Sequence, residues 1–159
     1  MTSRITPIAP EHLSGVAELE RLCFPDEPWS EKALLALCRE HGTGFVALSE
    51  DGAPLAYVGM TYAADEGSIT NVATHPAARR QGLGRAVVQA LLAHAPALGL
   101  ADVYLEVRVS NKAAIALYQS LGFEHIGRRK GFYRHPTEDA LLMKASLHNT
   151  QKESIICTY

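Results

Sequence analysis

The chain has 159 residues, 47% hydrophobic and 20% charged, with a formal net charge of −2. That is the size and composition of one globular domain able to bury its own core, and it excludes intrinsic disorder, collagen and coiled coil. No apolar run approaches the roughly 18 residues of a membrane span, and no hydrophobic segment follows Arg4, so neither a span nor a signal peptide is expected.

In chain order, 4–8 reads as a short strand. Residues 10–22 read as a helix, with Leu13, Val16, Leu19 and Leu22 at helical spacing. Pro25 and Pro28 break the segment before Trp29, and Ser30 caps a second helix over 31–40 that stops before Gly42. Residues 44–50 and 54–62, joined at Asp51-Gly52, form a hairpin, and 67–74 a further strand. The clearest helix is 83–95, where Val87, Val88, Leu91, Leu92 and Ala95 share a face. Residues 103–109 are a strong β run. Ser110 is a possible cap for a helix over 111–121, which Gly122 stops. Strands at 123–127, 132–135 and 140–147 complete an α/β (α+β) fold, a mixed sheet with helices on its faces. Residues 1–147 form the expected domain, and 148–159 a loosely held tail.

The segment Arg79-Arg80-Gln81-Gly82-Leu83-Gly84-Arg85 lies between a strand and the best helix. Helix N-terminal N–H groups lack partners and carry partial positive charge; glycines let backbone approach a ligand, and arginines add charge. This is a phosphate or pyrophosphate site, or otherwise a solvated basic loop. The wider charge pattern agrees: residues 1–78 carry 4 basic and 11 acidic side chains, whereas 79–134 carry 9 and 3. A P-loop is absent, and Gly82-Leu83-Gly84 lacks the third glycine of a dinucleotide fingerprint.

Val72-Ala73-Thr74-His75-Pro76 followed by Arg79-Arg80-Gln81-Gly82-Leu83-Gly84 resembles motif A of the GNAT family of N-acetyltransferases. The resemblance implies a sheet of about six to seven strands with one splayed pair and about four helices. It also implies acetyl-CoA as cosubstrate, its pyrophosphate held by Arg79, Arg80, Gln81, Gly82, Leu83, Gly84 and Arg85. The pantetheine arm would lie along Val72, Ala73 and Thr74. Leu105-Glu106-Val107-Arg108-Val109-Ser110-Asn111, and Ala114 through Tyr118 to Gly122-Phe123, resemble the RimI branch, whose members acetylate the N-terminal alanine of a small-subunit ribosomal protein. Phe24-Pro25, Pro28-Trp29-Ser30-Glu31 and the closing segment from Arg128 to Met143 agree, although Phe132 stands where the branch commonly has tyrosine.

Acetyl transfer to an amine needs a base, an oxyanion site and an acid for the leaving thiolate. Glu106 interrupts an apolar strand, where burial of a lone carboxylate would raise its pKa and improve it as a base; it also suits an ion pair with Arg108 or another arginine. The resemblance makes it the general base, directly or through water. Tyr118 is implied as the proton donor to the thiolate, with a core aromatic as the plainer reading. Asn111 is implied in cofactor binding, and it also suits a helix cap. Backbone N–H groups from Val72 to Thr74 are candidates for the oxyanion site. An α-amine has a reference pKa of about 7.7–8.0 against about 10.4 for lysine, so an N terminus needs the weaker base.

Trp29, Tyr133, Glu138 and Asp139 are the candidate acceptor contacts: aromatic walls for a peptide and acids for an ammonium group and a basic tail. Three cysteines, Cys23, Cys38 and Cys157, make no CxxC pair, which fits a reducing, cytoplasmic setting. Neither Cys23 nor Cys38 has the surroundings of a nucleophile, so direct attack in a ternary complex is expected. No metal site, nucleic-acid partner or membrane contact is expected. An acceptor of another kind, such as a lysine, a polyamine or a small amine, is the competing reading. A non-catalytic acyl-CoA-binding module is disfavoured by the presence of both Glu106 and Tyr118. The sequence assigns no oligomeric state.

Overall fold

The computed structural model describes residues 3–147, so the expected tail lies outside the described residues. Seven strands form one mixed sheet in the order β1-β2-β3-β4-β5-β7-β6, with four α-helices. The strands are β1 (Arg4–Pro7), β2 (Gly42–Leu48), β3 (Pro54–Ala63), β4 (Glu66–Thr74), β5 (Asp102–Arg108), β6 (Glu124–Tyr133) and β7 (Glu138–Ser146). The helices are α1 (Leu13–Cys23), α2 (Glu31–Leu34), α3 (Leu83–His94) and α4 (Lys112–Ser120). Among the described residues no helix is long and apolar enough to cross a membrane.

The chain divides into two compact units. The first holds the residues up to Tyr62 and Ile69–His94; the second holds Ala63–Ser68 and the residues from Ala95 onward. In the first, β1, β2 and β3 pair antiparallel. Leu13, Val16, Ala17 and Leu19 of α1 are buried with Leu34, Leu37, Val46, Leu48 and Tyr57 in one cluster. Spacing of about 3.6 residues aligns that stripe on α1, so burial rather than propensity fixes the helix. Gly15 is required there because a Cβ would come within 2.6 Å of the Pro54 ring.

In the second unit, β5 pairs parallel with the start of β4, from Glu66↔Asp102 to Ser68↔Tyr104, and the registered pairs end there. Its other side pairs antiparallel with β7 along its length, and β6 closes on β7. Val103, Leu105 and Val107 are buried while Tyr104, Glu106 and Arg108 are half-buried, which is the two-residue period of a strand.

Four sequence expectations are corrected. The first helix opens as a 3-10 turn, Pro10–His12, and becomes α-helical only from Leu13. The second is α-helical only over Glu31–Leu34 and tightens to 3-10 over Leu35–Cys38, where it ends. Asn111, not Ser110, caps α4: its Oδ1 accepts from the Ala114 N–H at 3.2 Å. The strands expected at 123–127 and 132–135 are one strand, β6. It absorbs the polar stretch between them through register shifts, which edge strands tolerate.

Candidate active site

The first unit carries the glycine-rich loop. Arg80 has φ 65° and Gly82 φ 76°, two left-handed residues that swing the chain from β4 into α3. At Gly82 no atom stands within 4 Å of an added Cβ, so the backbone conformation requires glycine there rather than crowding. At Gly84 the reason is space: a Cβ would meet Thr74 Oγ1 at 3.1 Å. The first helical bond of α3 runs from the Ala86 N–H to the Gly82 carbonyl at 3.0 Å. Arg79, Arg80, Gln81 and Arg85 are exposed, while Leu83 is buried and anchors the turn. This arrangement fits a pyrophosphate: an exposed basic rim, open space above Gly82 and a helix N terminus.

Behind the loop, Val72 and Thr74 are half-buried and Ala73 is buried. The Cys23 thiol donates to the Thr74 carbonyl at 3.3 Å. Burial pushes this thiol up, and the Arg79 guanidinium beside it offsets only part of that effect. Cys23 therefore stays a thiol at neutral pH, consistent with a structural role rather than a nucleophilic one.

Trp29 is half-buried and packs against the core of the first unit. Its backbone N–H donates to Glu20 Oε2 at 3.2 Å. Glu20 is the one buried charged residue among those described, and it also accepts from the Tyr57 phenol and from Asn71 Nδ2. Burial and the Glu20 carboxylate together raise the Tyr57 phenol well above its ordinary value. Sequence reasoning missed Glu20, Tyr57 and Asn71. The only signal was an acid on the core-facing stripe of α1, one residue after Leu19.

The second unit carries the remaining candidates. Glu106 is not the lone buried carboxylate that its strand suggested. Alternation puts it on the less buried face of β5, its side chain is 29% exposed, and Arg129 Nε of β6 stands 3.3 Å from Oε1. Tyr118 of α4 is buried and meets Phe123 edge to face, 5.7 Å between ring centroids. Burial first, then the neighbouring Tyr133, pushes its phenol up to about 12. Tyr133 is pushed to about 12 by burial and then by the Glu106 charge. Glu106, Tyr133 and Tyr118 thus lie within electrostatic reach of one another in succession, and both phenols keep their protons at neutral pH.

The acids of the hairpin are engaged within the chain. Glu138 Oε2 accepts from the Ser110 N–H at 2.7 Å, and Oε1 accepts from Arg108 at 3.3 Å. Asp139 accepts from Arg128 Nε at 2.7 Å and from the Gly131 N–H at 2.9 Å. These donors hold both carboxyls below the usual carboxylate range: the Ser110 hydrogen bond comes first for Glu138, and the Gly131 N–H for Asp139. Arg108, which sequence reasoning took only as a possible partner of Glu106, clamps the hairpin loop instead. Its guanidinium donates to the carbonyls of Pro136 and Arg134, each at 3.0 Å, and lies 4.5 Å from the centroid of the Tyr133 ring. Among the described residues no cluster of three or more His, Cys, Asp or Glu side chains is grouped to hold a metal ion.

Comparison with known proteins matches residues 13–123 to the Acetyltransferase (GNAT) family. The [Ribosomal protein bS18]-alanine N-acetyltransferase of Escherichia coli K12 is 41% identical over 120 residues, covering 73% of this chain and 79% of that protein. N-alpha-acetyltransferase RimI of Mycobacterium tuberculosis is 33% identical over 133 residues, covering 80% and 82%. The crystal structure of the ribosomal-protein-S18-alanine N-acetyltransferase from Escherichia coli superposes with a TM-score of 0.84 at 33% identity, covering 92% of this chain and 94% of that one.

Proposed function

The chain belongs to the GNAT family of acetyltransferases, and we propose that it moves the acetyl group of acetyl-CoA to the N-terminal α-amine of a ribosomal protein beginning with alanine. Acetyl-CoA-dependent N-acetylation comes with the family; the acceptor is the proposal. It rests on the 41% identity to the bS18-alanine enzyme of Escherichia coli. It also rests on one structural observation: in the second unit Glu106 lies half-buried on β5 with Arg129 at 3.3 Å, and Tyr118 lies buried on α4.

In this reading Arg79, Arg80, Gln81, Gly82, Leu83, Gly84 and Arg85 bind the pyrophosphate of acetyl-CoA. Val72, Ala73 and Thr74 take the pantetheine arm along their backbone. Asn111 caps α4 and thereby sets the start of the helix that carries Tyr118. Glu106 removes a proton from the attacking amine, directly or through water. The amine attacks the thioester carbonyl, the C–S bond breaks, and Tyr118 Oη supplies the proton that the leaving sulfur takes up. No covalent acyl-enzyme is needed, because the amine attacks the thioester itself. Trp29 and Tyr133 contact the acceptor segment. Glu138 and Asp139 contribute by holding the β6–β7 hairpin in shape, and their remaining oxygen lone pairs face a basic acceptor tail.

The test is acetyl-CoA turnover on two peptides. One starts with a free alanine followed by a basic ribosomal-type sequence; the other is blocked at its N terminus and carries an internal lysine. Turnover on the first alone is the expected result. Turnover on the blocked peptide alone would reject the α-amine reading while leaving acetyl-CoA chemistry intact.

A further inference from the structure

Glu20 is completely enclosed, at 0% exposure. Its Oε1 accepts from the Tyr57 phenol and from Asn71 Nδ2, the latter at 3.0 Å, and its Oε2 accepts from the Trp29 N–H at 3.2 Å. One acid therefore ties together α1, the loop before α2, β3 and β4. A carboxylate offers acceptors only, so it dictates which end of the Asn71 amide faces it. The nitrogen points to Glu20 and the oxygen turns away. That oxygen, Asn71 Oδ1, is buried and has no hydrogen-bond donor among the described residues. Leaving a buried acceptor unpaired is costly, and native chains keep few such atoms. Asn71 directly precedes Val72, the first residue of the backbone stretch assigned above to the cosubstrate.

We propose that Asn71 Oδ1 accepts a hydrogen bond from an N–H group of the acceptor, and that Glu20 is the positioning residue that keeps this oxygen available while holding the Trp29 loop. The donor is an amine or amide N–H. An acceptor peptide carries that chemistry, and so does the pantetheine arm of the cosubstrate. The acceptor is favoured because the same carboxylate fixes the backbone of Trp29, the acceptor contact of the first unit. This inference rests on the acetyltransferase reading but not on alanine being the residue modified.

The pair permits a swap. In Glu20→Gln, the new amide nitrogen faces Asn71, which must rotate its oxygen inward and present its nitrogen to the ligand. In Asn71→Asp, two carboxylates face each other. The double variant combines the two changes. The amide nitrogen introduced on α1 then gives one N–H to the carboxylate introduced on β4 and the other to the Tyr57 phenol oxygen, which turns from donor to acceptor. The other oxygen of that carboxylate takes the place of Oδ1, and the amide oxygen on α1 still accepts from Trp29. A fourth variant, Asn71→Thr, keeps a hydroxyl donor for Glu20 and removes the amide oxygen. Steady-state kinetics on the amine that the wild type acetylates, with thermal melting alongside, decide the matter. Glu20→Gln and Asn71→Thr, where folded, are each expected to raise the acceptor KM about tenfold, from the net worth of one hydrogen bond, whereas Asn71→Asp keeps an outward acceptor and is expected to lower the melting temperature through its facing carboxylates. The KM for acetyl-CoA should stay within about twofold, and the double variant should recover most of the acceptor KM. A rise confined to the acetyl-CoA KM would assign the donor to pantetheine and overturn the proposal. Unchanged KM values in Asn71→Thr would leave Oδ1 to water and also overturn it. Impaired single variants with no recovery in the double would remove the positioning role of Glu20. If the wild type acetylates lysine but not an N-terminal alanine, the functional reading fails and the same variants still test this one on the lysine peptide.

Discussion

At the scale of single residues, Tyr118 and Glu106 make different demands on their surroundings. Burial keeps the Tyr118 phenol protonated up to about pH 12, so its oxygen is a donor throughout the physiological range. Tyr118→Phe leaves the edge-to-face packing on Phe123 in place and removes only the donor. It should lower kcat by about 10²-fold or more, the usual contribution of a general acid, with little change in melting temperature. Glu106→Gln should lower kcat on a similar scale, and should do so without losing its contact to Arg129 altogether, since an amide oxygen still accepts. Steady-state turnover with saturating acetyl-CoA reads both. Unchanged kcat in both variants would remove the two residues from the chemistry while leaving the fold assignment standing.

At the scale of elements, the hairpin β6–β7 is held by acids whose pKa values are depressed in the folded chain. For such a group the stabilisation is present above its unfolded pKa and disappears as pH falls through its folded pKa. Glu138 and Asp139 therefore stabilise the hairpin at neutral pH and release it under acid conditions, from about pH 4 downward, where free carboxylates begin to protonate. The protection of the Gly131 and Ser110 amides against exchange, taken relative to the intrinsic rate at each pH, should fall over that range, and Asp139→Asn should abolish the pH dependence of that protection at Gly131. The glycine-rich turn yields to a different argument. A side chain at Gly82 meets no atom but must adopt φ 76°, at a cost of order 1–2 kcal/mol. Gly82→Val should raise the KM for acetyl-CoA more than the KM for the acceptor, which two-substrate kinetics separate.

At the scale of the whole molecule, what the sequence disclosed follows the range of the interactions concerned. The two-residue period of β5 and the helical stripes of α1 and α3 are local, and they suffice to place Glu106 and the glycine-rich turn on their elements. The loop, with its two glycines and four flanking basic or polar residues, was legible for the same reason. Where a partner lies far along the chain, local pattern says nothing. Glu20 finds Tyr57 on β3 and Asn71 on β4, and Arg108 finds the carbonyls of a loop beyond β6. The Ser110 and Gly131 N–H groups that Glu138 and Asp139 accept from were not legible either, because nothing in their neighbourhood announces them. Among the described residues the order of the sheet leaves β6 at one margin, with mostly exposed side chains, register shifts and the consecutive cations Arg128, Arg129 and Lys130. An unpaired strand margin is a template on which further chains can polymerise, and charge and irregular pleating are what discourage it. Replacing the three cations by threonine should therefore turn a clear preparation into one that scatters light at high concentration. Ionic strength should act in the same direction on the native chain, by screening the repulsion between margins.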